Sequence, residues 1–360
     1  MESAILVGHQ ALDELRELAI TAGARVVGEL IQHRDSPDRA TYIGKGKVQE
    51  LKDLVVAENV GTAIFDDELS PAQQRNLEAA LEIKIVDRTS LILDIFAGRA
   101  KTKEGKLQVE LAQLNYQLTR LTGHRDYLSR LGGGIGTRGP GETKLEMDRR
   151  GVRHRISVLK KEIEGMRKHR QLHRDHRRRD HLPLVSLVGY TNAGKSTLFR
   201  ALTREDTLIS SRLFSTLDTL VRRIHIGHGN SILLSDTVGF IRKLPHQLVS
   251  AFRATLEEVV EADLILHVID VSDPDHEEKR RVVLDVLKDI GAGDHPFLTV
   301  YNKADLIEVV PEVFGSDPEA LLVSAVTALN LDRLIERISE QVSSRGLGGS
   351  NAPAQSVQFE

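Results

Sequence analysis

Eight consecutive residues have the composition of a phosphate-binding loop. They run from Gly189 to Ser196 and fit the pattern G-x-x-x-x-G-K-S. An apolar run over 184–188 precedes them and an amphipathic segment over 196–202 follows, which predicts a strand, a loop and a helix. Glycines let successive backbone N–H groups point at phosphate oxygens, and the helix start adds its positive dipole end. Lys195 is then expected to neutralise the β and γ oxygens, and the Ser196 hydroxyl to bind Mg²⁺.

Two further motifs follow this loop, and each ends an apolar run. Asp236-Thr-Val-Gly239 follows the run over 232–235, so its carboxylate is expected to reach the Mg²⁺ shell through water. The backbone N–H of Gly239 is expected at the γ-phosphate. The motif from Asn302 to Asp305 follows the run over 296–301.

This last motif selects the base. The Asp305 carboxylate can accept both N1–H and N2–H of guanine, whereas adenine offers an acceptor and no amino group there. The mismatch predicts discrimination of roughly 10⁴-fold. Lys303 is expected to lie over the base. The predicted GTP-binding residues are Gly189, Tyr190, Thr191, Asn192, Ala193, Gly194, Lys195, Ser196, Thr197, Asp236, Thr237, Val238, Gly239, Asn302, Lys303, Asp305, Ser324 and Ala325.

A polar segment over 212–219 is suited to a loop that orders around a γ-phosphate. Thr216 is the first candidate for a second hydroxyl on Mg²⁺, and Thr219 is the alternative. The predicted metal ligands are therefore Ser196, Thr216 and Asp236. The predicted catalytic residues are Lys195, Thr216 and Gly239.

Two neighbouring positions bear on the chemistry. Phe240 stands where Ras-type enzymes use a glutamine to orient water, and a phenyl ring has no group for this, so slow hydrolysis without a partner is predicted. Asn192 has two interpretations that stay open: it helps to hold a K⁺ ion beside the phosphates, or it only stabilises the loop.

The elements that position these residues follow a larger plan. Over 4–97, short apolar runs alternate with helix-length amphipathic stretches, which is typical of a small, largely parallel α/β domain. Apolar residues spaced 4-3-4-3 over 107–121 and 152–166 predict two long helices in an antiparallel hairpin. The predicted fold class is α/β, with an N-terminal α/β subdomain (1–100), a basic helical hairpin (101–181), a Ras-like P-loop GTPase domain (182–345) and a flexible tail (346–360).

A glycine-rich interruption, Leu131 to Glu142, separates the two predicted helices. It holds six glycines in twelve residues, so no regular element is expected. A second nucleotide loop is one interpretation, but no preceding strand and no lysine-serine pair support it. A probe at the hairpin tip that inserts among RNA backbones, with Arg138 as its charged contact, is favoured. A long connector stays open.

Positive charge is concentrated beside this interruption. Residues 142–182 hold fourteen Lys or Arg against seven Asp or Glu, although the whole chain has a net charge of −3. A solvated, ion-paired helix accounts for the mixture up to Glu164, whereas the excess from Arg167 to Arg179 is one-sided. This predicts a polyanionic partner. The candidate RNA contacts are Arg138, Arg170, Arg174, Arg177, Arg178 and Arg179.

Composition excludes several classes of protein. The chain has no cysteine, which excludes disulfides and thiolate metal sites. No apolar run has transmembrane length and the N-terminus is not signal-like, so a cytoplasmic protein is expected, and a monomer. With 360 residues and 40% apolar content, the chain can bury two or three cores.

Several segments carry a resemblance to a known family. They are Tyr42-Ile-Gly-Lys-Gly-Lys-Val48, Asp66-Asp-Glu-Leu-Ser-Pro-Ala-Gln-Gln-Arg75, Asp87-Arg-Thr89, the run 139–146, and Asp236-Thr-Val-Gly-Phe-Ile-Arg242 with Leu244-Pro-His246. In order, over about 4–345, they resemble the HflX GTPases. The resemblance implies a translation-factor-related P-loop GTPase that binds the large ribosomal subunit and separates stalled or idle ribosomes under stress, with the glycine-rich tip directed toward the peptidyl transferase centre.

One departure from the family pattern concerns the first switch. The family usually has Thr-Leu-Asp-Pro-Thr, and here Thr216-Leu-Asp-Thr219 lacks the proline. Loss of that fixed φ leaves the register of the Mg²⁺ hydroxyl open between the two threonines.

Three functional hypotheses follow. The favoured one is a GTP-switched ribosome-binding factor that hydrolyses GTP to GDP and phosphate, binds the large subunit and its rRNA, and splits or rescues stalled ribosomes. The alternative is a nucleotide-dependent rRNA-remodelling enzyme with a regulatory GTPase domain. The third is a GTPase scaffold for an acidic protein.

Overall fold

The computed structural model describes residues 2–34, 36–122, 140–179, 182–204, 213–214, 216–217, 219–226, 230–243, 253–308 and 319–344. For residues 122, 140–145, 169–179 and 253–255 it describes the backbone alone. The chain divides into two compact units. The first holds residues 1–166 and 243–252, and the second holds 167–242 and 253–360.

A four-stranded sheet forms the centre of the first unit. Its strands are β1 (Ser3–Gly8), β2 (Arg25–Ile31), β3 (Thr62–Phe65) and β4 (Lys84–Asp87), all parallel in the order β2-β1-β3-β4. The helices between and after them are α1 (Asp13–Thr21), α2 (Lys45–Ala57), α3 (Pro71–Leu81) and α4 (Arg88–Arg99). Aliphatic side chains of the strands, such as Ile5 and Val7, pack with Leu51 and Leu77 of the helices.

Local sequence signals account for where these helices begin. Ser70 and Gln73 form reciprocal side-chain bonds at the start of α3, with Pro71 as its first residue. Asp87 caps α4 by accepting the Ser90 N–H at 2.9 Å. The predicted alternation of strand and helix over 4–97 is therefore confirmed.

The Asp87 carboxylate also joins three segments of this unit. It is 2% exposed. Besides Ser90, it accepts the Leu69 N–H at 3.0 Å, the Tyr116 hydroxyl at 2.7 Å and an Arg120 guanidinium N–H at 2.5 Å. It thereby ties α4, the segment before α3, and α5 (Lys103–Thr122) to the end of β4.

The second long helix, α6 (Pro140–Arg179), packs on α5 through the apolar positions that the 4-3 spacing singled out. The contacting residues are Leu107, Leu111, Leu114 and Leu118 with Val152, Ile156, Leu159, Ile163 and Met166. Arg155 forms a two-point ion pair with Glu110, at 2.7 and 3.0 Å. The irregular stretch predicted from Leu131 to Glu142 extends too far at its C-terminal end. The helix α6 already begins at Pro140, whose fixed φ suits a first helical position. Residues 131–139 lie outside the described residues.

A six-stranded sheet forms the centre of the second unit. Its strands are β5 (Leu184–Gly189), β6 (Leu220–His225), β7 (Ser231–Asp236), β8 (Leu264–Asp270), β9 (Phe297–Asn302) and β10 (Leu321–Leu322), in the order β10-β9-β8-β5-β7-β6. Only the β6–β7 pair among these strands is antiparallel. The helices are α7 (Lys195–Thr203), α8 (Arg253–Val260), α9 (His276–Asp289) and α10 (Leu331–Ser343). Parallel strands bring their carboxyl ends, and hence the three predicted motifs, to one edge of this sheet.

Candidate functional site

The phosphate-binding loop leaves β5 and enters α7 through two glycines with different constraints. A Cβ at Gly189 would lie 2.2 Å from the carbonyl oxygen of Val268 on the neighbouring strand. Gly194 has a φ of +88°, and a Cβ there would lie 2.2 Å from the Asn302 side-chain nitrogen. Both positions therefore exclude any side chain, for reasons of packing as well as of backbone conformation.

Lys195 is buried at the start of α7. Its ammonium donates to the carbonyl oxygens of Gly189, at 3.0 Å, and Tyr190, at 2.7 Å, so the side chain folds back over the loop that precedes it. Burial lowers the pKa of Lys195 to about 8, and the Asp236 carboxylate opposes this shift. The ammonium is thus held at the loop, where it can neutralise phosphate oxygens.

Three oxygen-bearing side chains meet beside this lysine. The hydroxyls of Ser196 and Thr216 are 2.7 Å apart. Both donate to the same Asp236 oxygen, Oδ2, at 2.7 and 2.8 Å. The structure thus brings together the three predicted metal ligands, which come from α7, the first switch and the end of β7.

The remaining oxygen of Asp236 supports a cation at this point. The residue is fully buried, and Oδ1 has no hydrogen-bond partner among the described residues. Burial raises the pKa of the Asp236 carboxyl, although the hydrogen bonds from Ser196 and Thr216 and the positive charges of Lys195 and Arg200 oppose this shift. One carboxylate with two hydroxyls, all hard oxygen donors, suits Mg²⁺, which keeps several waters and needs few protein ligands. Thr219 does not join this group, and its hydroxyl is without a partner within the described ranges.

The segment that begins with the Asp236–Gly239 motif, here called the second switch, lies against the phosphate-binding loop. A Cβ at Gly239 would lie 2.9 Å from the Thr191 Cα and 3.0 Å from the Lys195 ammonium. Phe240 donates its N–H to the Gly189 carbonyl at 3.1 Å and accepts the Thr191 N–H at 2.7 Å. The predicted catalytic residues Lys195 and Gly239 are therefore neighbours in space.

The predicted base-recognition motif, Asn302 to Asp305, is tied to the phosphate-binding loop by one amide. The Asn302 side chain donates to the Ala193 carbonyl at 3.0 Å and accepts the Ala325 N–H at 3.0 Å. The exposed Asp305 carboxylate accepts a hydrogen bond from the buried Ser324 hydroxyl, which fixes its direction. The structure thus joins Asn302, Asp305, Ser324 and Ala325, all predicted GTP-binding residues, to the phosphate-binding loop.

The other predicted GTP-site residues take their places along these elements. Asn192 is exposed with a φ of +64°, a conformation that asparagine tolerates. Thr197 lies in the first turn of α7. The hydroxyl of the buried Thr237 donates to the Leu187 carbonyl at 2.6 Å, and Val238 is buried beside it.

Two residues at this site, Arg242 and Asp270, were not predicted from the sequence. The Tyr190 hydroxyl accepts the Arg242 N–H at 2.8 Å, which links the loop to the second switch. Asp270, the last residue of β8, accepts the Lys303 ammonium at 2.6 Å. The available signal was the position of Asp270 after an apolar run, the same context that singled out Asp236.

The candidate RNA contacts fall outside what the structure describes in side-chain detail. Arg138 lies outside the described residues. The backbone of 170–179 continues α6. The side chains of Arg170, Arg174, Arg177, Arg178 and Arg179 are not among those described, so these contacts stay predictions.

Comparison with known proteins decides the family. Consecutive parts of the chain match the family models described as "GTP-binding GTPase N-terminal" (9–97), "GTP-binding GTPase Middle Region" (99–177) and "50S ribosome-binding GTPase" (184–303). A protein named GTPase HflX from Caldanaerobacter subterraneus is 54% identical over 348 residues, which is 95% of this chain and 81% of that protein. The chain belongs to the HflX family of GTPases. The HflX GTPase of Escherichia coli K12 is 45% identical over 336 residues, 92% of this chain and 79% of that protein.

Solved structures of GTP-binding proteins resemble this chain over most of its length. A chain titled SsGBP, in complex with GDP, is 26% identical and has a TM-score of 0.55, covering 96% of this chain and 99% of its own length. A GTP-binding protein from Sulfolobus solfataricus, also with GDP, is 26% identical with a TM-score of 0.50, over 96% of this chain and all of its own. The HflX membership confirms the predicted α/β fold class and a GTP-binding, GTP-hydrolysing enzyme. In the described part of this HflX-family chain, no helix is long and apolar enough to span a bilayer.

Proposed function

We propose that this HflX-family GTPase is a GTP-dependent factor that binds the large ribosomal subunit through rRNA and splits or rescues stalled ribosomes. The observation that carries the proposal is the basic surface of α6. The family model described as a 50S ribosome-binding GTPase supports the same partner.

The α6 surface is basic on the side that faces solvent. Ile156 and Leu159 are buried against α5. Arg150, Arg153, Lys160, Lys161 and Lys168 are all exposed on the same helix. Four exposed acids, Glu146, Asp148, Glu162 and Glu164, lie on the same described part of the helix, so the surface is mixed but predominantly positive. Lysine and arginine in such an array release condensed counterions when they bind phosphates.

The nucleotide site supplies the chemistry through this chain's own groups. Lys195 neutralises phosphate charge, and Asp305 selects guanine. Ser196, Thr216 and Asp236 would hold Mg²⁺, which neutralises the charge that develops on the phosphates when it is bound. The Gly239 N–H binds the γ-phosphate and thereby couples its presence to the second switch.

Hydrolysis by the isolated chain is slow in this proposal. Phe240 is 2% exposed and has no polar side-chain atom, so it cannot orient the attacking water. The ribosome supplies or reorders the missing group. GTP therefore favours the bound state, and hydrolysis releases it.

Cosedimentation tests the proposal. We expect the chain to pellet with large subunits in a non-hydrolysable GTP analogue, less with GDP, and less as salt rises. A variant with Arg153→Glu and Lys160→Glu should lose binding, whereas Lys52→Glu, an exposed lysine on α2, should not. Equal pelleting with GDP, or binding by the α6 variant, would count against it.

Splitting needs a separate measurement. Gradient profiles of intact ribosomes, incubated with the chain and GTP, should shift toward free subunits. Binding without such a shift would leave a ribosome-bound GTPase that does not split.

A further inference from the structure

Asp270 is a fully engaged carboxylate at the edge of the base site. Its Oδ1 accepts the Ser272 N–H at 3.1 Å and the Ser272 hydroxyl at 2.6 Å. Its Oδ2 accepts the Lys303 ammonium at 2.6 Å. The side chains of Asp270 and Lys303 are only 15% and 22% exposed. The carboxylate is thus held by one neighbour and in turn holds the other.

Lys303 occupies a constrained position. Its φ of +65° places it in the left-handed region, directly after the β9 strand. Its Cε would lie 3.9 Å from a Cβ at Gly194. The aliphatic stem therefore passes beside the phosphate loop, and the ammonium turns back to Asp270.

The strand itself does not depend on the Asp270 side chain. Asp270 and Asn302 are paired in the β8–β9 register, and the Val271 N–H donates to the Asn302 carbonyl at 3.1 Å. These backbone bonds fix the end of β8. The carboxylate therefore acts on Ser272 and on Lys303, and of these two Lys303 belongs to the predicted base motif.

The physical consequence concerns side-chain freedom. A lysine stem has many rotamers, and ordering it when a ligand binds lowers affinity. An ammonium that is already anchored removes part of this loss and leaves the methylenes as a fixed apolar surface. That surface adjoins Asn302 and Asp305, where the motif places a purine ring.

We infer that Asp270 is a positioning residue for the guanine base, acting through Lys303. The inference rests on the proposed base site. Asp270 then affects the affinities for GDP and GTP equally, because both carry the same base. It leaves the hydrolytic step unchanged.

Asp270→Asn tests this, since it keeps the shape and an acceptor for Ser272 but removes the charge that holds Lys303. Equilibrium titration should show GDP and a non-hydrolysable GTP analogue weakened by the same factor, about three- to tenfold. KM for GTP should rise while kcat at saturating GTP stays constant. Asp263→Asn is the matched control, because that carboxylate lies at the other end of β8 and accepts the Leu184 N–H at 2.8 Å.

A double-mutant cycle separates positioning from general weakening of the site. In a Lys303→Met background, Asp270→Asn should have no further effect, because the ammonium is already gone. Additive losses would overturn the inference, as would a lower kcat with unchanged affinity. If Asp270→Asn fails to fold, Ser272→Ala should show a smaller change in the same direction, and unchanged affinity there would count against it. If the unsubstituted chain does not prefer guanine nucleotides, the proposed base site fails instead.

Discussion

The backbone amide of Thr191 donates a hydrogen bond to the carbonyl oxygen of Phe240, 2.7 Å away. The Phe240 N–H returns a bond to the Gly189 carbonyl at 3.1 Å. The residue that replaces the water-orienting glutamine is therefore fixed to the phosphate loop by both of its backbone groups. Its ring is 2% exposed and is packed away from solvent.

The first prediction concerns the rate of hydrolysis. Because Phe240 cannot orient water, the isolated chain should hydrolyse GTP at no more than about 10⁻² s⁻¹, and large subunits should raise this by on the order of 10³-fold. Single-turnover assays with and without subunits measure both rates. A fast rate that does not depend on the partner would contradict the prediction.

The second prediction distinguishes the two switch threonines. Thr216→Ala should lower Mg²⁺-dependent hydrolysis at least about tenfold, because its hydroxyl shares Asp236 Oδ2 with Ser196. Thr219→Ala should change it less than about twofold, within the usual scatter of a substitution away from the site. Mg²⁺ titrations of the hydrolysis rate compare the pair. The opposite ranking would assign the metal to Thr219.

The third prediction concerns the crowded glycine. Gly194→Ala should abolish nucleotide binding, since its Cβ would lie 2.2 Å from the Asn302 side chain. Gly291→Ala is a matched control, because its φ is +81° and nothing lies within 4 Å of its Cβ position. The control should lose only about 1 kcal/mol of unfolding free energy and bind GDP normally. Denaturant unfolding measures the effect of backbone strain on stability, and GDP titration measures the effect of the steric clash on binding.

The fourth prediction concerns base choice. Asp305→Asn should weaken GTP binding by roughly 10⁴-fold, because an amide cannot accept both guanine N–H groups. Xanthosine triphosphate, with a carbonyl in place of the amino group, should bind this variant better than GTP. Asp332→Asn, an exposed acid in α10, serves as the control. Unchanged preference for GTP would exclude Asp305 from base recognition.

The fifth prediction concerns acid stability. His267 on β8 is 1% exposed, and neither ring nitrogen has a hydrogen-bond partner in the described part of the chain. Burial lowers its pKa to about 3, and the nearby positive charges of Arg280 and Lys195 add to this. An unfolded histidine titrates near 6.5, so protons bind the unfolded state preferentially.

The contribution of the neutral, buried His267 to stability should therefore be fully present above about pH 6.5. Below that pH the free energy of unfolding should fall by about 1.4 kcal/mol per pH unit, down to about pH 3. Urea unfolding at several pH values measures this slope. His267→Leu should flatten it, whereas His225→Gln, at an exposed position, should not. An unaltered slope in the leucine variant would assign the acid sensitivity to other groups.

Much of this site could be predicted because its motifs are local. Gly194 belongs to a motif of eight residues and Asp305 to a motif of four, and within so short a segment the spacing alone restricts the geometry. Thr216 could not be separated from Thr219, because a switch loop has no periodicity and its register is set by tertiary contacts. Asp270 was missed because its partner, Lys303, is 33 residues away and follows a different strand.

The same reasoning explains the fold. Apolar periodicity predicted the parallel strands and the two packed helices, since burial must match the repeat of each element. Glycine content predicted an irregular stretch through Glu142, whereas α6 already begins at Pro140. Composition indicates which segments disfavour regular structure, but contacts with neighbouring elements decide at which residue a helix begins or ends.

One carboxylate, Asp87, fastens α5 to the end of β4 through Tyr116 and Arg120. The helix α5 is thus joined to the sheet partly by these polar contacts and not by apolar packing alone. A change in one of these three side chains could redirect this helix while leaving both apolar cores intact. Single substitutions at these positions can therefore change the angle between the helical pair and the sheet within the first unit.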